Sequence, residues 1–467
     1  MNDILGWILI GLCIAWGAQA VLAVIAQRKL AERAKHPQTK RFAAYRPTAA
    51  LIVPFKGVEP ALQGNLKGLF TQDYPDYRVV MIVEDESDPA YPILREAIEQ
   101  YPQRNAEVIF AGVAGPNEGQ KVHNLIAAVE KLKADDHGEE VWVFADSDAV
   151  PGSDWLGELV GPLCQERTAV TTGFRWLIPE SPSTNTNKAP HPVHSTHQTA
   201  PPNAAPKHSL TNAAPVRSED ENLPPDTPPP HTSLPKNTPP PPTPFWAKIA
   251  SIINSSATGY IRRDRFTHAW GGSMAMRVST ANEADLLSYW RGALSDDYQV
   301  TRMCRDLGRR IYFVPECLVA SPVDYDFAGL CNFAFRQYVI TRIHAPSVFI
   351  AALFINALYF LGMAAAVATL IRAQNIHHTR IAVGMFVTVF IANQIRASYR
   401  RRVVQLTLGE PTAHRLKPTF TLERWATPVW LGINLLMLLR ASAGRTIRWR
   451  DISYRMDGPQ KIQKLNT

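Results

Sequence analysis

Residues 4–26 carry no charged side chain in 23 consecutive positions, and no other feature constrains the fold of this chain as tightly. At about 1.5 Å per helical residue, such a run crosses a hydrocarbon core about 30 Å thick. A signal peptide would carry a basic segment ahead of a shorter apolar run. Here only Asp3 precedes it, and the basic residues follow: Arg28, Lys29, Arg33, Lys35, Lys40, Arg41 and Arg46, against Glu32 alone. The positive-inside rule then predicts residues 1–27 as a transmembrane anchor whose following domain is cytoplasmic. In a bacterium that membrane would be the inner one.

Three further apolar runs lie near the other end. Residues 347–371 are uncharged and long enough to span. Residues 381–395 and 426–439 are short, so each is compatible with a span or with a helix lying in the interface. Residues 346–450 are therefore expected to form a C-terminal membrane region. The formal net charge is +8, and the basic residues flank these apolar runs, which favours an anionic membrane surface over nucleic acid as their partner. Five scattered cysteines without a CxxC pair indicate neither a disulfide framework nor a structural zinc site.

Nineteen of the 37 prolines fall within residues 179–244, among Thr, Asn, His and Ala. That composition cannot bury enough apolar area to offset chain ordering, so a disordered, polyproline-rich insertion is expected. Its histidines (His191, His194, His197, His208 and His231) lack helical spacing, which disfavours a metal site. A protein partner for its prolines is conceivable, but composition does not establish one.

Outside the insertion, residues 47–345 read as one cytoplasmic α/β domain. Strand-like runs at 49–53, 79–83, 107–111 and 141–144 alternate with helical stretches at 59–70, 89–100 and 119–133. This alternation predicts a mostly parallel, Rossmann-like sheet covered on both faces, with ligands bound beyond the carboxyl ends of the strands. Two of those ends carry acid: Glu84-Asp85-Glu86-Ser87-Asp88, and Asp146-Ser147-Asp148. An Asp-x-Asp pair at a strand end suits Mg²⁺ or Mn²⁺ shared with substrate phosphates. A solvated acidic turn is the plain alternative for a lone pair, and the second acidic strand end argues against it. Beyond the insertion, Gly271-Gly272 reads as a tight turn entering a strand, where backbone could approach a sugar or phosphate closely. Asp296 and Asp297 open a helix, as caps or as a general base for an acceptor hydroxyl.

Taken in order, VPFKGVEPALQGNL, QDYPDYRVVMIVEDESDPA, QKVHNL, FADSDAVP, WGGSMAMR and SDDYQVTR resemble the inverting family 2 glycosyltransferases with a GT-A fold, most closely the ceramide glucosyltransferase-like branch. The resemblance implies a GT-A-type nucleotide-sugar domain with transmembrane helices at both ends. It implies that Asp85, Lys121, Asp146, Gly271 and Gly272 bind the nucleotide-sugar, that Asp146 and Asp148 hold Mg²⁺ or Mn²⁺, and that Asp297 is the catalytic base. The family's Q/RxxRW motif is altered to Arg336-Gln337-Tyr338, with Arg342 a turn later. These four are the expected acceptor-side residues.

The expected function is transfer of a sugar from a nucleotide-sugar, UDP-linked by resemblance, to a lipid hydroxyl. Two rivals stand beside it: a processive polysaccharide synthase, and a non-enzymatic membrane scaffold recruiting partners through the proline-rich arm.

Overall fold

A computed structural model of the 467-residue chain describes residues 2–37, 39–59, 62–180, 243–260 and 267–465. Seven strands form the central sheet: β1 (Ala49–Pro54), β2 (Tyr77–Val83), β3 (Ala106–Phe110), β4 (Val141–Ala145), β5 (Thr168–Pro179), β6 (Ser273–Arg277) and β7 (Arg310–Val323). Their spatial order is β3-β2-β1-β4-β6-β5-β7. The four strands expected from the sequence pair in parallel, while β6 runs antiparallel to both β4 and β5. The sheet is thus mixed rather than mostly parallel at that point, and the reversal matters for the site. It sets the start of β6 beside the end of β4, with Ala145 opposite Ser273.

Side-chain alternation along β1 explains the two layers. Ala49, Leu51 and Val53 face a core closed by helices Leu62–Phe70, Tyr91–Gln100 and Trp155–Val160. Ala50 and Ile52 face a second core closed by helices Gln120–Asp135, Leu286–Trp290 and Asp296–Asp306. Both faces of the central strands are buried, which is why β1, and β2 from Val79 onward, are continuously apolar instead of alternating with polar residues. Where β5 meets β7 the register shifts between Thr172 and Phe174, and a Cβ on Gly173 would lie 1.9 Å from the Cys317 carbonyl oxygen. Only glycine fits there.

Most of the proline-rich insertion (residues 181–242) lies outside the described residues. Its expected limits move inward on both sides. Pro179 still pairs with Val323 at the end of β5, and Pro244 directly precedes helix Phe245–Ser256.

Among the described residues, three helices are long and apolar enough to cross a membrane: Ile4–Lys35 within the N-terminal helix, Pro346–Arg372 and Ile376–Thr407. The apolar run 381–395 is short only because the helix containing it extends through polar and basic residues at both ends. Helices Lys417–Trp425 and Thr427–Ala443 bend by 87° at Ala426, so the run 426–439 belongs to a broken or re-entrant element. The bundle is close-packed: Trp16 sits edge-on to Tyr359 and Phe386, and a Cβ on Gly362 would come 2.3 Å from the Trp16 Cβ.

A three-stranded antiparallel sheet follows the last apolar helix: β8 (Thr446–Trp449), β9 (Ile452–Gly458) and β10 (Lys461–Leu465). It docks on the loops at the functional edge of the central sheet. The Gln120 amide donates to the Tyr454 hydroxyl (3.2 Å), Gln299 Nε2 donates to the Pro459 carbonyl (2.8 Å), and the Lys464 amide donates to the Pro116 carbonyl (2.6 Å).

Candidate functional site

At the carboxyl end of β4 the chain delivers Asp146 and Asp148, and the reversed β6 brings Gly271 and Gly272 alongside. The glycines are there for space. A Cβ on Gly271 would lie 2.0 Å from Asp296 Oδ2, and one on Gly272 would lie 2.6 Å from Asp146 Oδ2 and 2.2 Å from the Trp270 ring. Backbone therefore packs directly against two carboxylates.

Lys121 joins these parts. It sits in the first turn of helix Gln120–Asp135, and its ammonium lies 2.7 Å from Asp146 Oδ1 and 3.0 Å from Asp296 Oδ1. Burial works against that charge, but Asp146, Asp296 and Asp297 outweigh it and hold the ammonium well above the usual lysine range. Burial likewise pushes Asp146 up, yet Lys121, Arg175 and Arg336 reverse the effect and leave its carboxyl below the ordinary value. Asp148 ends above its ordinary value: burial and Asp146 raise it, and Arg175, 3.3 Å away, opposes them only in part. Arg175 in turn lies over the rings of Trp270 and Phe333, which fixes its guanidinium under the acidic pair.

The SDDY stretch folds as its residue types suggest. Ser295 is the N-cap of helix Asp296–Asp306, accepting from the Tyr298 amide. The two aspartates then diverge. Asp296 turns inward to Lys121, and the Trp290 indole donates to its backbone carbonyl (3.2 Å). Burial pushes its carboxyl up to about 6, helped by Asp297 and Asp146 and opposed by Lys121. Its Oδ2 is buried without a hydrogen-bond partner among the described residues. Asp297 stays half-buried and accepts from the Gly271 amide (3.4 Å), the Tyr298 amide (2.7 Å) and the Ser295 hydroxyl. Tyr298 stacks on His344, the last residue of helix Phe327–His344, and bonds Thr341 (2.8 Å). Burial drives the His344 imidazole down to about 4 even though Asp297 pulls it upward, so the ring is neutral at physiological pH.

The remaining expected residues separate. Asp85 stands at the end of β2 in a turn of its own, accepting from the Ser87 amide (2.8 Å) and hydroxyl, and these bonds lower its carboxyl. Arg336 faces the site: burial and the neighbouring Arg175 lower its pKa, while Tyr325 and Asp148 oppose them. Tyr338 and Arg342 turn to the other side, Tyr338 bonding Asn434 and Arg342 bonding the Ser442 and Gly444 carbonyls at the end of the last apolar helix. The Gln337 carbonyl accepts from Thr341 within the helix. Arg175, the inward turn of Asp296 and the role of the C-terminal sheet were not anticipated. The alternation of Ile452, Tyr454 and Met456, all buried, was the available signal for that sheet. No group of three or more His, Cys, Asp or Glu side chains is arranged to hold a metal ion among the described residues.

Residues 8–181 match the family model of glycosyl transferase family 21. Over 138 residues the chain is 31% identical to a ceramide glucosyltransferase of Gibberella zeae, covering 27% of this chain and 25% of that protein. Over these stretches the chain is similar to the ceramide glucosyltransferase-like glycosyltransferases. A second ceramide glucosyltransferase, from Komagataella phaffii, is 30% identical over 88 residues, covering 18% of this chain and 17% of the relative. The chain thus spans a quarter or less of these relatives' lengths. Among solved structures, a mannosyltransferase from Pyrobaculum calidifontis in complex with GDP-Man and Mn²⁺ aligns over 90% of this chain and 99% of its own, at 15% identity and a TM-score of 0.44.

Proposed function

We infer that this chain is a membrane-bound inverting glycosyltransferase that moves one sugar from a UDP-linked nucleotide-sugar to a lipid hydroxyl at the cytoplasmic face. The observation that carries the reading is the meeting of Lys121, Asp146, Asp296 and Asp297 at one sheet edge, next to a helix that leads directly into an apolar one.

Asp297 is the base. It takes the proton of the acceptor hydroxyl, whose oxygen attacks the anomeric carbon from the face opposite the nucleotide. The bond to the nucleoside diphosphate breaks on the far side and the anomeric centre inverts. Gly271 orients Asp297 through its amide, and Lys121 holds Asp146 and Asp296 at the donor side. Asp85 and Lys121 are assigned to the nucleotide, and Arg336 to anionic or hydroxyl groups of either substrate. His344 ends helix Phe327–His344 two residues before the apolar helix Pro346–Arg372 begins, so an acceptor arriving along that helix meets Asp297 beside a neutral imidazole.

Asp146 and Asp148 fit Mg²⁺ or Mn²⁺ by donor chemistry: both are hard oxygen ligands, and a cation shared with phosphates needs only one or two protein carboxylates. Asp296 Oδ2, buried without a hydrogen-bond partner among the described residues and lying against the Gly271 backbone, is a further oxygen of this kind. When bound, the cation supplies charge neutralisation for the leaving diphosphate.

The test is Asp297→Asn in the full chain. Transfer is expected to be lost with metal-dependent nucleotide binding retained; normal turnover in that variant overturns the base assignment.

A further inference from the structure

The C-terminal sheet is more than a support. We propose that Arg450, on the turn between β8 and β9, is a ligand for the diphosphate of the nucleotide donor, an inference that rests on the glycosyltransferase reading above. Arg450 lies between Trp449, the last residue of β8, and Ile452, the first of β9, with Asp451 beside it. Its φ of 56° places it in the left-handed region, which a residue with a side chain adopts at a cost unless the surroundings hold it there.

What holds it is the docking of the sheet on both halves of the site. Tyr454 receives the amide of Gln120, the neighbour of Lys121. The carbonyl of Pro459 receives Gln299, two residues beyond Asp297. Gln460 Nε2 reaches the Ser288 and Arg291 carbonyls at 2.7 and 3.0 Å, and a Cβ on Gly292 would meet the Gln460 carbonyl at 2.8 Å. So the turn is fixed relative to both the lysine and the aspartate.

From there the guanidinium pairs with Glu59, which follows β1. The pair uses one Arg450 nitrogen, and the other guanidinium N–H groups have no hydrogen-bond partner among the described residues. Glu59 lies in the loop after β1, and β1 runs parallel to β4, so the pair stands at the same carboxyl edge of the sheet as Asp146 and Asp148. Arg450 is thereby a third guanidinium at this edge beside Arg175 and Arg336, and the carboxylate it pairs with engages only one of its nitrogens. A guanidinium offers a planar fork of donors that matches phosphate oxygens, and a diphosphate is the anion that such a set would take.

The experiment titrates the full chain in detergent, with Mg²⁺, against UDP, GDP, ADP and CDP, using the parent nucleosides as phosphate-free controls. Arg450→Ala is expected to weaken binding of the preferred diphosphate at least tenfold, Arg450→Lys less, and neither to change competition by the nucleoside. Glu59→Gln removes the same ion pair but keeps the guanidinium, so it is expected to leave diphosphate affinity unchanged or higher. Equal losses in Arg450→Ala and Glu59→Gln would reduce Arg450 to a structural partner and overturn the proposal. Unchanged diphosphate affinity in a folded Arg450→Ala chain overturns it as well. If the parent chain binds no nucleoside diphosphate, the glycosyltransferase reading fails first and this assignment falls with it.

Discussion

Lys121 and Asp296 meet at 3.0 Å, tying the first turn of helix Gln120–Asp135 to the first turn of helix Asp296–Asp306. The same ammonium holds Asp146, so one cation serves a buried and a half-buried carboxylate from different parts of the chain. Removing it leaves Asp296 without its ion-pair partner, while Arg175 and Arg336 still face Asp146. Breaking a buried pair of this kind costs about 3–5 kcal/mol. Lys121→Met is therefore expected to lower the unfolding midpoint sharply and to abolish nucleotide binding, while Lys121→Met with Asp296→Asn recovers part of the stability but not the binding. Thermal unfolding in detergent, followed by nucleotide titration, checks both halves.

Gly271 and Gly272 are placed where a single methyl group would strike a carboxylate. A Gly271 Cβ would lie 2.0 Å from Asp296 Oδ2, so the carboxylate would have to move, and with it the Oδ1 contact to Lys121. Gly271→Ala is expected to reduce transfer at least tenfold, mainly through donor affinity. A donor titration that matches the parent chain would show that the close approach has no part in binding.

Glu158 supplies a pH-dependent check on stability away from the chemistry. Burial, with Glu316 and Asp154 nearby, pushes its carboxyl from 4.5 up to about 7. Between those values the folded chain holds a proton that the unfolded chain has released, so stability falls as pH rises through the window, and the full penalty stands above pH 7. Glu158→Gln is expected to stabilise the chain by about 1–2 kcal/mol at pH 8, after allowance for solvent screening, and by almost nothing at pH 4. Unfolding measured at both pH values decides it; an equal effect at each contradicts the assignment.

Replacing residues 181–242 with a short Gly/Ser linker is expected to leave sugar transfer within about twofold of the parent chain. On the near side Glu180 is held by its amide to the Val323 carbonyl (2.8 Å) and by Arg415 (2.6 Å), and on the far side helix Phe245–Ser256 packs through Ser251, whose hydroxyl donates to the Leu177 carbonyl (2.7 Å). The flanks have their own anchors. Loss of function on this replacement, with folding intact, would favour a recruiting scaffold over an enzyme.

The first half of the sheet was legible because β1, β4 and β2 from Val79 onward are apolar runs bounded by turn residues, and the acidic ends of β2 and β4 were in plain view. Helix ends shifted by a few residues, as at Leu62 and Tyr91. The reversal of β6 was not legible, since strand direction depends on partners distant in sequence. The same holds for Arg175, whose meaning appears only when β5 sets it 3.3 Å from Asp148. Asp296 and Asp297 look alike in sequence; the structure separates them by burial, one turned to Lys121 and the other to the Gly271 amide. Arg450 lies in a stretch whose alternation was readable, but its target, Glu59, is at the far end of the domain's sequence.

The central claim is tested most directly by the product. The purified full chain in detergent is offered a panel of UDP-sugars, extracted membrane lipids, and Mg²⁺ or Mn²⁺, and the lipid fraction is analysed by mass spectrometry. The expected result is a lipid carrying one added sugar with inverted anomeric configuration, absent when Asp297→Asn replaces the parent chain. A polymer, or no sugar transferred to any lipid, contradicts the account.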